Sequence, residues 1–333
     1  MSEQTANQAN NKTEKKKFAL SPPLTALLTA VILFLASGLL PNGYNSFNMA
    51  VDQAFNIIRL SSFLAIIAAG QTLVIISGGE GIDLSAGAVV TIAALFTYRY
   101  IDGDNNLVLP VLLFVLATGA VVGLINGLGI TYLRIPPFVM TLGVAGVVQG
   151  TLLVVTRGLY DGKVAPIMTK LIARDLVFGI PGMIFLWIIF GIFMTLVLRR
   201  TRFGKQLFAI GVNRNAARLS GVRVDRMVIA TYVIAGALAA FSGFVLVGWT
   251  QNAGLNVGNQ YLFPSIAAVA VGGTLLSGGV GSYFGTMAGA IVIQLITSLL
   301  TTMQLPEATQ QMVYGSVLLV LLIIYGREKG LRL

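Results

Sequence analysis

The chain contains no cysteine and no histidine. The first absence excludes disulfides and thiolate chemistry. The second removes the commonest general base and metal ligand. Charge is also scarce: 10% of the 333 residues are Asp, Glu, Lys or Arg, whereas 56% are hydrophobic. A soluble domain carries about 25% charged residues. A chain this poor in charge cannot cover a water-facing surface, so lipid is its expected solvent. A nucleotide-phosphate loop is missing too. The nearest stretch, GLYDGKV (Gly158–Val164), is one residue short of Gly-x-x-x-x-Gly-Lys-Ser/Thr and has Val164 where a hydroxyl belongs. The chain itself is therefore expected to bind no ATP.

What the sequence does have is apolar runs. They predict an all-α, polytopic helix bundle of about ten spans, at 22–40, 55–77, 85–100, 107–130, 137–156, 183–199, 227–248, 264–279, 284–303 and 311–326. Residues 1–21, including NNKTEKKK, are polar and expected to be a disordered cytoplasmic N-terminus. Residues 22–333 form a single transmembrane domain. The run from Leu24 to Leu40 is longer than a signal-peptide core and lacks a clear small-residue cleavage site, so it reads as an uncleaved first span.

The net charge of +10 does not point to nucleic acid, because the basic residues flank apolar spans with no aromatic pattern among them. They sort by side instead. With the N-terminus inside, all but six of the 22 Lys and Arg residues fall on inner segments; the six are Arg59, Arg99, Arg157, Lys163, Lys170 and Arg174. The positive-inside rule then places both termini in the cytoplasm.

Glycine is abundant, with 38 residues, and Gly-x-x-x-Gly spacing occurs at Gly123/Gly127, Gly146/Gly150, Gly281/Gly285 and Gly285/Gly289. In lipid this spacing lets backbones approach closely; it also suits sliding surfaces beside a pathway. Two stretches share Ser-Gly-Gly-x-Gly, Ile75–Val90 and Leu275–Val292. Gly-broken segments in corresponding positions point toward a transport pathway, although an inverted repeat would place the two breaks on opposite sides, and this topology places both inside.

Ion-coupled carriers need ionisable groups inside the bilayer. Here the spans hold almost none: Arg59 lies near an outer end, and Glu80 and Asp83 fall in a Gly-rich break. No nucleophile–base pair or metal constellation of an enzyme is visible. Neutral polar groups are present instead, namely Gln71, Asn126, Thr141, Gln149, Gln294, Thr297 and Ser298. They suit either bonds between helices or an uncharged, hydroxylated solute in passage. Asn126, Thr141, Gln149 and Gln294 are the candidate pathway residues.

One segment breaks the apolar pattern. Phe203–Met227 carries Lys205, Arg214, Arg218, Arg223 and Arg226 within the inner loop 200–226. Within it, Asn213, Arg214, Asn215, Ala216, Ala217, Arg218, Leu219, Ser220 and Gly221 read as a helix of about two turns. Asn213 or Asn215 serves as N-cap, and Gly221 as a left-handed stop. Too short to span, it sits at the cytoplasmic surface as a topogenic loop, an anionic-lipid site or a docking helix for a soluble partner.

Four stretches resemble one family. GGEGIDLSAGA (Gly78–Ala88), GLINGLGITYLRIPPFVMTLG (Gly123–Gly143), TRFGKQLFAIGVNRNAARLSGVRV (Thr201–Val224) and AAVAVGGTLLSGGVGS (Ala267–Ser282) are similar, in order, to motifs of the permease subunit of ribose-type ABC sugar importers. That family serves ribose, galactose, xylose and autoinducer-2. The resemblance covers nearly the whole chain beyond the polar N-terminus. Two departures stand out: the first motif has two extra residues, Glu80 and Gly81, and Leu262-Phe263-Pro264-Ser265 stands where the family has Glu-Leu-Asp-Ala.

The resemblance implies a ten-span permease of the vitamin B12-importer type in the bacterial inner membrane. It implies a second permease copy or paralogue, a cytoplasmic ABC ATPase that binds ATP and Mg, and an extracytoplasmic sugar-binding protein. No cofactor is implied in this chain, and the permease does no covalent chemistry. The segment Asn213–Gly221 then becomes the coupling helix that docks the ATPase. A secondary carrier or a passive channel for a neutral solute is the alternative; the first lacks a coupling-ion site and the second has no use for a folded cytoplasmic loop.

Overall fold

The computed structural model describes residues 21–39, 46–158, 161–177 and 179–327. Of the expected disordered stretch 1–21, all but Ser21 lies outside the described residues. Thirteen helices follow one another among them. They are α1 (Pro22–Gly38), α2 (Phe47–Ile76), α3 (Ala86–Ile101), α4 (Val108–Thr131), α5 (Pro137–Thr156), the single turn α6 (Pro166–Met168), α7 (Gly182–Arg200), α8 (Arg202–Val212), α9 (Arg214–Leu219), α10 (Val224–Thr250), α11 (Leu262–Val271), α12 (Tyr283–Thr302) and α13 (Glu307–Arg327). A small antiparallel hairpin, β1 (Asp175–Val177) with β2 (Ile180–Pro181), leads into α7. The chain is thus an all-α membrane protein, with six helices long and apolar enough to cross a bilayer by length and composition.

Nine of the ten expected spans coincide with a helix of 16 residues or more. The span expected at 264–279 does not. Its helix, α11, has 10 residues, about 15 Å of rise and half a bilayer. It ends where Gly272-Gly273 turns the chain, with Gly273 at φ +86°, a backbone region open to glycine.

The helices run alternately between two ends, one marked by α8 and α9. Close packing follows the glycines. Gly119, Gly123 and Gly127 form a stripe on α4 whose missing side chains let the backbone of α10 approach at Gly236, Tyr232 and Ile229. Gly285 and Gly289 of α12 receive the carbonyls of Gly272 and Ala268 in the same way. Lipid tails are as apolar as a leucine side chain, so this contact, rather than water exclusion, holds such helices together. Gly146 and Gly150 differ: a side chain there would meet nothing within 4 Å in this chain.

Two non-helical segments enter the bundle. Residues 78–85, between α2 and α3, fold back along α2 until Asp83 pairs with Gln71. The Gln71 amide donates to the Asp83 carbonyl (2.6 Å) and accepts from its N–H (3.3 Å). Residues 251–261 descend from the other end: the Gly258 N–H donates to Thr91 Oγ1 (3.0 Å), and Tyr261 packs edge-on against Phe63 at 5.0 Å. Both partners lie well inside α3 and α2. Irregular backbone at such depth is tolerated only where protein covers it or where it lines a polar cavity.

Candidate functional site

The candidate residues gather around these two segments and the α8–α9 hairpin. At the α9 end, Thr201 caps α8 by accepting from the Gly204 N–H (3.2 Å). Helix α8 buries Gly204, Leu207 and Ile210. Asn213 Oδ1 then accepts from the N–H groups of Asn215 and Ala216, both at 3.0 Å, and starts α9. Of the two expected caps, Asn213 is therefore the one used. Gly221, at φ +84°, ends the turn in the left-handed region as expected.

The two faces of this hairpin differ. Ala217 is buried among Val74, Ile210, Val224, Val228 and Tyr232. Arg214 is half-buried and donates from Nη2 to the Gly78 carbonyl (3.1 Å). Leu219 is 90% exposed and Val212 72% exposed, with Asn215, Ala216, Arg218 and Ser220 exposed beside them. Arg218 pairs with Asp225 at 3.1 Å, with both side chains mostly exposed.

The hairpin abuts both Ser-Gly-Gly motifs. Gly211, near the end of α8, packs against the Ile76 carbonyl and the backbone of Gly279, and Gly278 sits directly on Gly78. The Gly279 N–H donates to the Ile76 carbonyl (2.9 Å). The two similar stretches therefore meet at one end of the bundle, the arrangement an inverted repeat would not give. The two extra residues of the first motif are taken up by a turn in which the Gly81 N–H donates to the Gly78 carbonyl (3.3 Å); Glu80 points outward.

Below that turn lies a polar knot. Asp83 Oδ1 accepts from the backbone N–H (2.9 Å) and hydroxyl (2.6 Å) of Ser85. Asn126 Nδ2 donates to Ser85 Oγ (2.8 Å). Thr141 Oγ1 accepts from the Leu84 N–H (3.1 Å) and lies 2.9 Å from the Pro137 carbonyl of its own helix. Asp83 sits between α2 and α3, outside both. Asn126 and Thr141 are fully buried here. They tie α4 and α5 to residues 78–85.

The other two candidates stand at the second segment. Gln149 Nε2 donates to Asn259 Oδ1 (3.1 Å). Gln294 lines a cavity of about 170 Å³ beside Gln260, Tyr261 and Trp249. A wider groove of about 560 Å³, lined by Asn256, Asn259, Gln260, Phe263, Glu307 and Gln311, adjoins it through shared Gln260, Glu307 and Gln311. The structure thus divides the four candidates into two pairs. Asn126 with Thr141 secures the 78–85 segment, and Gln149 with Gln294 flanks the amide-rich opening. Sequence reading missed Asn256, Asn259, Gln260 and Gln310, which lie outside the apolar runs, and Gln311, the first residue of the last run. The density of amides in NVGNQY and EATQQ was the available signal.

Comparison with known proteins bears on what such an arrangement serves. A family model described as the permease component of branched-chain amino acid transport systems matches residues 53–322. The autoinducer 2 import system permease protein LsrC of Yersinia pseudotuberculosis serotype O:3 (strain YPIII) is 33% identical over 308 residues, covering 91% of this chain and 84% of that protein. The proteins of the same name from Yersinia pestis strains Pestoides F and Angola match to the same extent, 33% over 308 residues. No solved structure matches the chain.

Proposed function

This chain belongs to the family of branched-chain amino acid-type transport system permease components and is the membrane permease subunit of an importer, and we propose that it passes a neutral, sugar-like solute inward under the drive of a separate ABC ATPase. In this reading ten segments traverse the inner membrane in the vitamin B12-importer arrangement, α11 contributing a half-span. Both termini and the α8–α9 hairpin face the cytoplasm. A second permease, identical or related, completes the pathway, and an extracytoplasmic binding protein delivers the solute to the opposite end. ATP and Mg are held by the ATPase, and this chain needs no cofactor.

The observation that carries the proposal is the two-faced α9. Its outer side presents Ala216 and Leu219 to a partner, beside the exposed Val212 at the end of α8, while its inner side is wired to residues 78–85 through Arg214 and Gly78. A purely topogenic loop has no use for that wiring. An anionic-lipid site likewise has no use for an Arg214 turned inward to the Gly78 carbonyl. Movement of a docked ATPase reaches Gly78 first and, through Asp83, Ser85, Asn126 and Thr141, the helices α4 and α5.

Substrate class follows from the lining. The family description speaks of branched-chain amino acids, and the relatives are named for autoinducer 2 import. A cation is the strongest partner for the carboxylate of a zwitterionic amino acid, and neither the cavity nor the groove has Lys or Arg among its lining residues. Amides that both donate and accept match hydroxyls instead. Reconstitution with the cognate ATPase and binding protein tests the whole reading. Uptake of a radiolabelled neutral sugar-like solute should require ATP and persist when proton and sodium gradients are collapsed. Uptake that follows a gradient without ATP would establish a secondary carrier.

A further inference from the structure

Resting on the proposed importer reading, we infer that the cavity beside Gln294 is a binding chamber, within one permease chain, for a single small polyol. It lies between α2, α10, α11, α12 and the start of α13, and opens through the amide groove toward the end remote from α9.

Its volume, about 170 Å³, is that of roughly six waters at ~30 Å³ each. This suits one monosaccharide-sized solute. Its depth is set by the elements that line it. Gln294 lies midway along α12 and Tyr261 at the inner tip of the 251–261 segment, while Trp249 and Glu307 stand at the remote ends of α10 and α13. The chamber therefore runs from the surface to the middle of the membrane, where a discontinuous helix begins. Transporters place solutes at such discontinuities because the unwound backbone and the helix start there leave polar groups free of the helical ladder.

The lining supplies two kinds of recognition. Trp249 and Tyr261 give flat apolar faces on which the C–H side of a sugar ring can lie, and both rings are held. The Arg59 guanidinium sits 5.1 Å from the Trp249 ring centroid, and Tyr261 abuts Phe63. Gln260, Gln294 and Gln311 offer amide donors and acceptors to hydroxyls. Glu307 at the mouth has two carboxylate oxygens that can accept from neighbouring hydroxyls. The lining residues include no Lys or Arg, and the nearest guanidinium, Arg59, is engaged by the Trp249 ring, so the polar lining favours hydroxyls over a carboxylate. Neutral amides also hold weakly enough to release the solute onward, which a conduit requires.

Because Trp249 is one of only two tryptophans in the chain, the chamber carries its own reporter. The permease alone, in lipid nanodiscs without ATPase or binding protein, is titrated with D-ribose while tryptophan emission and heat are followed. A saturable emission change is expected that Trp249→Phe abolishes while heat of binding persists. Gln294→Leu and, at the exposed mouth, the isosteric Glu307→Gln should each weaken apparent affinity about tenfold, the loss of one good hydrogen bond. Thr118→Ala, at a position outside the chamber lining, should leave it unchanged, and L-leucine should give no response. The chamber assignment is overturned if neither D-ribose nor ribitol gives a saturable signal, if both chamber variants bind as tightly as the wild type, or if L-leucine binds more tightly than D-ribose. ATP-driven uptake by the full complex, measured separately, keeps the two claims apart. Uptake without chamber binding removes only the chamber, whereas chamber binding without ATP dependence removes the importer reading.

Discussion

Arg214 of the α8–α9 hairpin reaches across to Gly78 and donates to its carbonyl oxygen at 3.1 Å. The same carbonyl accepts from Gly81 and begins the segment that Asp83 anchors to Gln71. A rigid surface hairpin and an irregular segment inside the bundle thus share one acceptor. Gly79, at φ +67°, lies under the guanidinium, and a side chain there would collide with it.

From this link we expect Arg214→Leu to separate docking from transport. The ATPase should still co-purify, because the exposed side of α9 is untouched. ATP-driven uptake should fall by an order of magnitude or more for loss of a charge-assisted bond of about 1.5–3 kcal/mol. Equal loss of uptake and of co-purification would instead make Arg214 a docking residue.

Leu219 and Ala217 separate the two faces of α9. Leu219→Asp changes a side chain that is 90% exposed, so permease stability should move by less than about 0.5 kcal/mol while ATPase co-purification drops. Ala217→Asp buries a carboxylate among Val74, Val228 and Tyr232 and should destabilise the permease itself by several kcal/mol. Thermal unfolding of the two purified variants, read beside pull-down, distinguishes these effects.

Asp83 acts as a hydrogen-bond acceptor for Ser85. Asp83→Asn keeps an oxygen in that place and removes a buried charge, so its melting temperature should equal or exceed that of the wild type. Asp83→Ala leaves the Ser85 N–H unpaired and should cost about 1–3 kcal/mol.

The glycine spacings give a paired prediction. A side chain at Gly123 meets the Tyr232 carbonyl of α10, whereas one at Gly146 meets nothing in this chain. Gly123→Ala should therefore destabilise the isolated permease by about 1–3 kcal/mol through overpacking. Gly146→Ala should leave its stability unchanged. If Gly146→Ala nevertheless abolishes transport, the open face of α5 meets another subunit or the solute.

These contrasts also show what the sequence could reveal. The cap at Asn213 and the stop at Gly221 were legible because capping depends on a few neighbouring residues. The α4 stripe at Gly123 and Gly127 was legible because its periodicity is local. The eighth span was over-read: hydrophobicity continues through Leu275 and Leu276, while the conformation at Gly272-Gly273 had already ended α11. Residues 251–261 read as an outer loop because they are polar. Their depth depends on Gly258 meeting Gly87 and Thr91, more than 160 positions away in sequence, and no periodicity encodes such a contact. The amides of the groove were missed for the same reason.

Single-cysteine labelling tests the division of the four candidate polar residues, and the chain has no native cysteine to interfere. Gln294 lines the cavity, and Gln149 bonds to Asn259 of the adjoining groove. Asn126 and Thr141 are fully buried in the knot around Ser85 and Leu84. In the resting permease, Gln294→Cys and Gln149→Cys should react with a small hydrophilic thiol reagent added from the extracytoplasmic side. Asn126→Cys and Thr141→Cys should stay unlabelled. During ATP turnover with the partner ATPase, the mechanism through Gly78 requires the knot to loosen, so labelling at Asn126 or Thr141 should rise, with Arg214→Leu preventing the rise. Labelling of the knot positions at rest would place them in the open pathway. Silence at Gln149 and Gln294 in both states would make those amides interhelical ties, worth about 0.6 kcal/mol each, and would remove the amide groove from the route of the solute.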